Sequence, residues 1–183
     1  MKNPEYEALL TQRLAKYFDI TTPTTIEGRE YRLRADHTSR LEQTVLGKGN
    51  VVDYYETCEI CLCSAHPGLT EEELFQELTA LPTLVTVLSR PSRTHKSTLI
   101  TRIMYVEGSP PSAKSRFVKL ISRFTYTRVH RFYFHGWTEI RLIVVFPEAD
   151  VLFLSPAAKR DRAVFLPGIT PTEKPPAFNK EAM

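Results

Sequence analysis

Val51-Val52-Asp53-Tyr54-Tyr55-Glu56-Thr57-Cys58-Glu59-Ile60-Cys61-Leu62-Cys63 contains neither glycine nor proline and is rich in β-branched and aromatic residues. Such side chains fit a pleated, packed surface better than a helix, so the stretch predicts a long central strand. Upstream, Gly47-Lys48-Gly49-Asn50 reads as a loop. Before it, Tyr31, Leu33 and Ala35 alternate with Arg32, Arg34 and Asp36, the period-2 pattern of a half-buried strand. Downstream, Thr70-Glu71-Glu72-Glu73 has the form of a capping box, flanked by Leu69 and Leu74 as a hydrophobic staple. The apolar face of the helix continues through Leu78, Leu81, Val85 and Leu88, and Pro82 predicts a kink or a split near its fourth turn.

Working outward, Asn3 before Pro4 reads as an N-cap, and Tyr6, Leu9, Leu10, Leu14 and Tyr17 predict a helix over 4–17 with Arg13 and Lys16 in water. Residues 97–107 read as a strand, and Ser109-Pro110 as the start of a helix carrying Ala113, Phe117, Leu120, Ile121 and Phe124. From Thr125 the period becomes extended. Segments 128–134, 137–146, 151–154 and 162–166 are separated by turn chemistry and predict an antiparallel meander. Residues 167–183 hold four of the thirteen prolines and read as a disordered tail. The order of elements implies an α+β fold: one domain over 1–166, with a mixed or largely antiparallel sheet and about three helices packed against it.

At 183 residues, with 42% hydrophobic and 25% charged side chains, the chain is neither disordered throughout, collagenous nor a long coiled coil. No apolar run approaches the roughly 18–20 residues of a bilayer span, and the N-terminus carries no apolar leader. Three cysteines, at 58, 61 and 63, favour a reducing compartment. The expectation is a cytoplasmic protein with no membrane partner. No cofactor is expected, because Gly47-Lys48-Gly49 leads into a strand instead of a helix and forms neither a P-loop nor a dinucleotide fingerprint.

Charge is distributed unevenly. Residues 1–89 carry 8 Lys+Arg and 14 Asp+Glu, whereas residues 90–183 carry 16 and 7. Between 90 and 131 ten basic side chains stand against Glu107 alone. Arg116, Lys119 and Arg123 recur at helical spacing, Arg128 and Arg131 follow, and Phe117, Phe124, Tyr126, Phe132, Tyr133 and Phe134 are interleaved with them. That pattern suits a surface that tracks phosphates and stacks rings. The ordinary alternatives are that the cations face the acidic half of the same fold, or of a second copy in a homo-oligomer, and that the aromatics are core. The leading expectation is a binding or regulatory module with Arg116, Lys119, Arg123, Arg128 and Arg131 contacting nucleic acid or an acidic protein surface.

Two constellations point to other chemistry. Cys58, Cys61, Cys63 and His66 are four soft-metal ligands in nine residues, although strand alternation puts Cys61 and Cys63 on one side and Cys58 on the other. Buried free thiols are the ordinary reading. Separately, helix, strand, strand, strand, helix, strand over about 4–107 resembles the core of restriction-endonuclease-like nucleases. In that resemblance Asp36 and either Glu56 or Glu59 would hold a metal ion, but cysteine replaces the lysine of the acidic-x-Lys element in Glu56-Thr57-Cys58 and Glu59-Ile60-Cys61. The five histidines, with His130 and His135 flanking Arg131-Phe132-Tyr133-Phe134, form no catalytic signature.

Tyr17-Phe18-Asp19-Ile20, Gly28-Arg29-Glu30-Tyr31, the Val51–Cys63 stretch and Gly136-Trp137-Thr138-Glu139-Ile140-Arg141-Leu142 are packing and turn phrases. In them the chain resembles an uncharacterised family of short bacterial and archaeal proteins of unknown function. The resemblance spans most of 4–166 and implies no activity.

Overall fold

The computed structural model describes residues 1–44 and 51–168. The loop expected at 47–50, and the tail from residue 169 onward, lie outside these described residues. The glycine-free stretch that opens the sequence reading lies in β5 (Val51–His66), the strand on which the sheet is organised. It pairs antiparallel with β4 (Leu33–Thr44), from Leu33↔Cys63 to Thr44↔Val51, and parallel with β6 (His95–Val106). β6 pairs parallel with β8 (Trp137–Phe146), and β1 (Asp19–Thr21) lies on the outer edge of β4. Parallel neighbours need crossovers. α2 (Glu71–Leu88) joins β5 to β6, while α3 (Arg116–Arg123) and β7 (Tyr126–Val129) join β6 to β8. The result is an α+β fold on one seven-stranded mixed sheet. β2 (Thr24–Ile26) and β3 (Arg29–Tyr31) form a separate hairpin.

Alternation along the strands divides the interior into two cores, one on each face of the sheet. Ile60, Leu62, Ile100, Met104, Ile140, Leu142 and Val144 face α2, α3 and the β2–β3 hairpin. Cys61, Cys63, Ile103, Tyr105, Ile143 and Val145 face the other way, against Tyr6, Leu10 and Leu14 of α1 (Asn3–Leu14) and Phe165 of α4 (Arg162–Phe165). A strand covered on both faces needs apolar residues at every position, which explains Ile143-Val144-Val145-Phe146 in β8.

α2 follows its local signals. Glu73 N donates to Thr70 Oγ1 at 3.2 Å, and Thr70 N donates to Glu73 Oε2 at 2.7 Å. The helix runs unbroken through Pro82, where only one amide donor is lost, so the expected split does not occur. Other boundaries differ from the reading. α1 is capped by Lys2, whose N–H donates to Glu5 Oε2, while Asn3 is buried with its amide 3.4 Å from Glu107 Oε1. α3 starts after Ser115, whose Oγ accepts from Val118 N, not after Ser109. Each proline of Pro110-Pro111 biases the residue before it away from helical backbone, so the helix waits for the next cap.

The expected C-terminal meander is corrected in three places. β7 and β9 (Val151–Leu154) both pair antiparallel with β8, but along the same edge: β7 with Trp137–Ile140, β9 with Ile143–Phe146. β7 ends at Val129, and 130–134 turn instead of extending. Residues 162–165 form α4. Its end is held by Arg13, which is buried, not solvated: Nη1 donates to Val164 O at 2.8 Å and Leu166 O at 2.6 Å, satisfying carbonyls that a helix end leaves open.

Candidate functional site: a basic groove and an aromatic turn

α3 buries Phe117 and Ile121 and turns Arg116, Lys119 and Arg123 toward α2. The three cations line an open groove of about 530 Å³, with Phe75, Leu78 and Thr79 forming its α2 wall. At one end Arg116 lies 3.3 Å from Glu71, an exposed pair that contributes little. Beyond the groove, seven residues past Thr79 on α2, Arg128 of β7 donates to Thr86 Oγ1 at 3.3 Å. Glu71 and Thr86 are fifteen residues apart on α2, so these contacts stand about 22 Å apart at the helical rise. Lys119, Arg123, Arg128 and Arg131 pair with no described carboxylate.

Arg102 belongs to the same basic stretch and does something different. Only 2% exposed, it lies under α2, where Nη1 donates to Ile103 O at 2.9 Å. Its Nη2 donates to Ser64 Oγ at 2.6 Å and to Glu77 Oε2 at 3.3 Å. Ser64 Oγ, accepting from Arg102, is also hydrogen-bonded to His66 Nε2, 2.7 Å away. Burial, and then the Arg102 charge, push the His66 pKa down. A serine bonded to a neutral imidazole is a nucleophile–base arrangement in form. Ser64 is buried, however, and the network ties α2 to the sheet.

The cysteines do not converge with His66. Cys61 and Cys63 sit in the α1-side core, while Cys58 lies on the other face, 3.7 Å from the Thr38 hydroxyl that donates to it, with His66 eight residues, or about 26 Å, further along that face. Among the described residues no group of three or more His, Cys, Asp and Glu side chains is placed to hold a metal ion. Burial, reinforced by the Glu59 charge, pushes the Cys61 thiol up to about 12. Cys63 is driven well above the usual thiol range, chiefly by burial.

The nuclease-like acids are also separated. Asp36 pairs with Ile60 across β4–β5 and therefore shares its face, bound by Arg34 through Nε–Oδ2 at 2.7 Å and Nη2–Oδ1 at 2.8 Å. Glu59, one residue from Ile60, falls on the opposite face. Glu56 shares the face of Asp36 but pairs with Arg40, four residues along, or about 13 Å at the strand rise. That is too far for one ion to bridge. Glu59 instead joins the surroundings of Arg141, whose Nη1 lies 2.7 Å from Asp161 Oδ2. Burial raises the pKa of both carboxyls, with Arg141 opposing the rise.

The turn between β7 and β8 gathers three of the scattered histidines. His95 is buried; its Nδ1 donates to His135 O at 2.8 Å, and its Nε2 lies 2.8 Å from Thr98 Oγ1. His130 Nε2 is 2.9 Å from Thr138 Oγ1, and the His95 and His130 rings meet edge to face at 6.0 Å. Burial and the neighbouring His95 push the His130 pKa down. Gly136 sits at φ 73°, where a Cβ would come within 2.5 Å of the His95 and Lys96 carbonyl oxygens. Between these anchors Arg131, Phe132 and Tyr133 are all left-handed, at φ 47°, 52° and 70°. The rings of Phe132, Tyr133 and Phe134 project with 92%, 67% and 79% of their surface exposed. His135-Gly136 was visible as turn chemistry, but nothing local announces three successive left-handed residues.

No curated protein and no solved structure matches the chain. Residues 2–167 match the family described as Domain of unknown function (DUF8052). With nearly its whole described length inside that match, the chain belongs to the DUF8052 family, whose function is unknown.

Proposed function

We propose that the protein is a small cytoplasmic binding module whose α2–α3 groove takes a linear anionic partner, nucleic acid ahead of an acidic protein surface. The observation that carries this is the alignment of Arg116, Lys119 and Arg123 along one groove, continued by Arg128. Cations from α3 and β7 whose contacts on α2 lie about 22 Å apart suit a polymer that presents charge at intervals, since each neutralised phosphate releases condensed counterions. The free thiols of Cys58, Cys61 and Cys63 support the cytoplasmic assignment. The enzyme alternative has less support, because Glu59 lies on the face opposite Asp36 and Glu56 lies about 13 Å from it along the same face.

Binding of a fluorescent oligonucleotide, measured as salt rises from about 50 to about 200 mM, tests the reading. Affinity should fall steeply with salt. The R116E/K119E/R123E variant should bind more weakly, with a log–log salt slope shallower by about 2–3. Binding indifferent to both salt and these charges would sink the proposal. Magnesium- or manganese-dependent cleavage lost in Asp36→Ala would replace it with the nuclease reading.

A further inference from the structure

We infer that the β7–β8 turn is a stacking site for unpaired nucleobases, so that the polymer in the groove is single-stranded nucleic acid; the inference rests on the groove reading above. Its starting point is the exposure of Phe132, Tyr133 and Phe134, none of which makes a ring contact with a described residue. Adjacent exposed aromatics are unfavourable in water and mark contact sites. The backbone beneath them is held with care. Three successive non-glycine residues in left-handed geometry persist only where the surroundings over-determine them. Here the surroundings are the Gly136 packing under His95 and Lys96, the His95–His135 carbonyl bond and the His130–Thr138 bond. Each ring is mostly exposed and none contacts another, so their flat faces are left open instead of covering one another.

The charge around the rings is of one sign. Residues 128–136 contain the cations Arg128 and Arg131 and no carboxylate. Phe124 and Thr125 line the groove, and β7 leads from them straight into the turn, so cationic groove and aromatic turn are joined by four residues that include Arg128. A chain lying along Arg116, Lys119 and Arg123 would meet the rings next. A duplex keeps its base faces closed, and an acidic peptide offers charge without flat π surfaces. A bilayer could meet a projecting turn but could not enter a concave groove. Single-stranded nucleic acid supplies both the spaced phosphates and the open base faces.

The test uses the full chain and four probes: a labelled oligothymidylate of about 15 nucleotides, a duplex of equal length, inorganic polyphosphate, and vesicles containing phosphatidylserine. The single strand should bind more tightly than the duplex. Phe132→Ala with Phe134→Ala should weaken single-strand binding by about 5- to 150-fold per lost stack while leaving polyphosphate affinity and the salt slope unchanged. Phe132→Tyr with Phe134→Tyr should restore it. All three side chains are exposed, so a thermal melt unchanged from wild type confirms that the fold is intact. If the groove variant loses the oligonucleotide and polyphosphate but the ring variant binds both like wild type, the stacking site is wrong and the groove reading survives. If the groove variant binds all probes like wild type, the groove reading fails. Ring-dependent binding to the vesicles without binding to the oligonucleotide overturns the inference in favour of a lipid surface.

Discussion

Cys58 and Cys61 are three positions apart in the chain and face opposite sides of the sheet, so their chemistry diverges. Cys58 is half-buried beside a hydroxyl, whereas Cys61 and Cys63 are enclosed under α1 with their thiols held protonated by burial. Because the thiolate is the reacting species, a mild alkylating agent at pH 8 should modify Cys58 first and reach the other two only on unfolding. Peptide mass spectrometry checks this; equal labelling of all three in the native protein would contradict the burial. At Gly136 the constraint is backbone space. Gly136→Ala drives a Cβ against two carbonyl oxygens at a left-handed φ, and should cost about 3 kcal/mol in urea unfolding, the upper end of overpacking penalties. Gly136→Ala should also lose single-strand binding, because the turn cannot keep its shape.

At the scale of elements, α2 shows how much a helix can announce locally. Its capping box and apolar face lie within a few residues of one another, and both appear where the pattern puts them. The attachment of α2 to the sheet was not legible, since Arg102 comes from a strand twenty-five residues beyond Glu77 and looked like one more surface cation. Breaking this largely buried pair with Glu77→Ala strands the Arg102 charge. The expected cost is about 2–3 kcal/mol, below the range for fully buried pairs because the Glu77 side chain is 22% exposed. Replacing both with methionine should recover most of the loss, and the shift in urea midpoint measures each step. A Glu77→Ala midpoint equal to wild type would show that the pair holds nothing. α3 and β7 were placed less well: the helix begins six residues after the first serine–proline signal, and the strand stops before its aromatic run.

For the whole molecule, the two histidines with depressed pKa values set a pH dependence. His66 and His130 are neutral in both folded and unfolded states well above pH 6.5, and their folded values lie below it. As pH falls through 6.5 the unfolded chain takes up protons first, so stability declines until the folded values are passed. Glu59 and Asp161, raised by burial, act in the opposite sense nearer pH 4, where the folded state takes up protons first. His66→Gln keeps a hydrogen-bonding partner for Ser64 Oγ and removes the titration. The variant should therefore lose less stability than wild type between about pH 7.5 and about pH 5.5, and parallel losses in the two proteins would refute the assignment.

The amino-acid sequence by itself determined the central strand, the α2 helix with its start, the division of β5 side chains between two faces and the basic row of α3. Each of these depends on periods of two to four residues and on caps that act within a turn. Only the tertiary structure decided which cations reach solvent and which is entombed under α2, on which edge of β8 the last strands settle, and that His95 and Gly136 brace a left-handed aromatic turn. Those outcomes come from residues dozens of positions apart competing for the same volume and the same hydrogen-bonding partners, and no short window of sequence contains that competition.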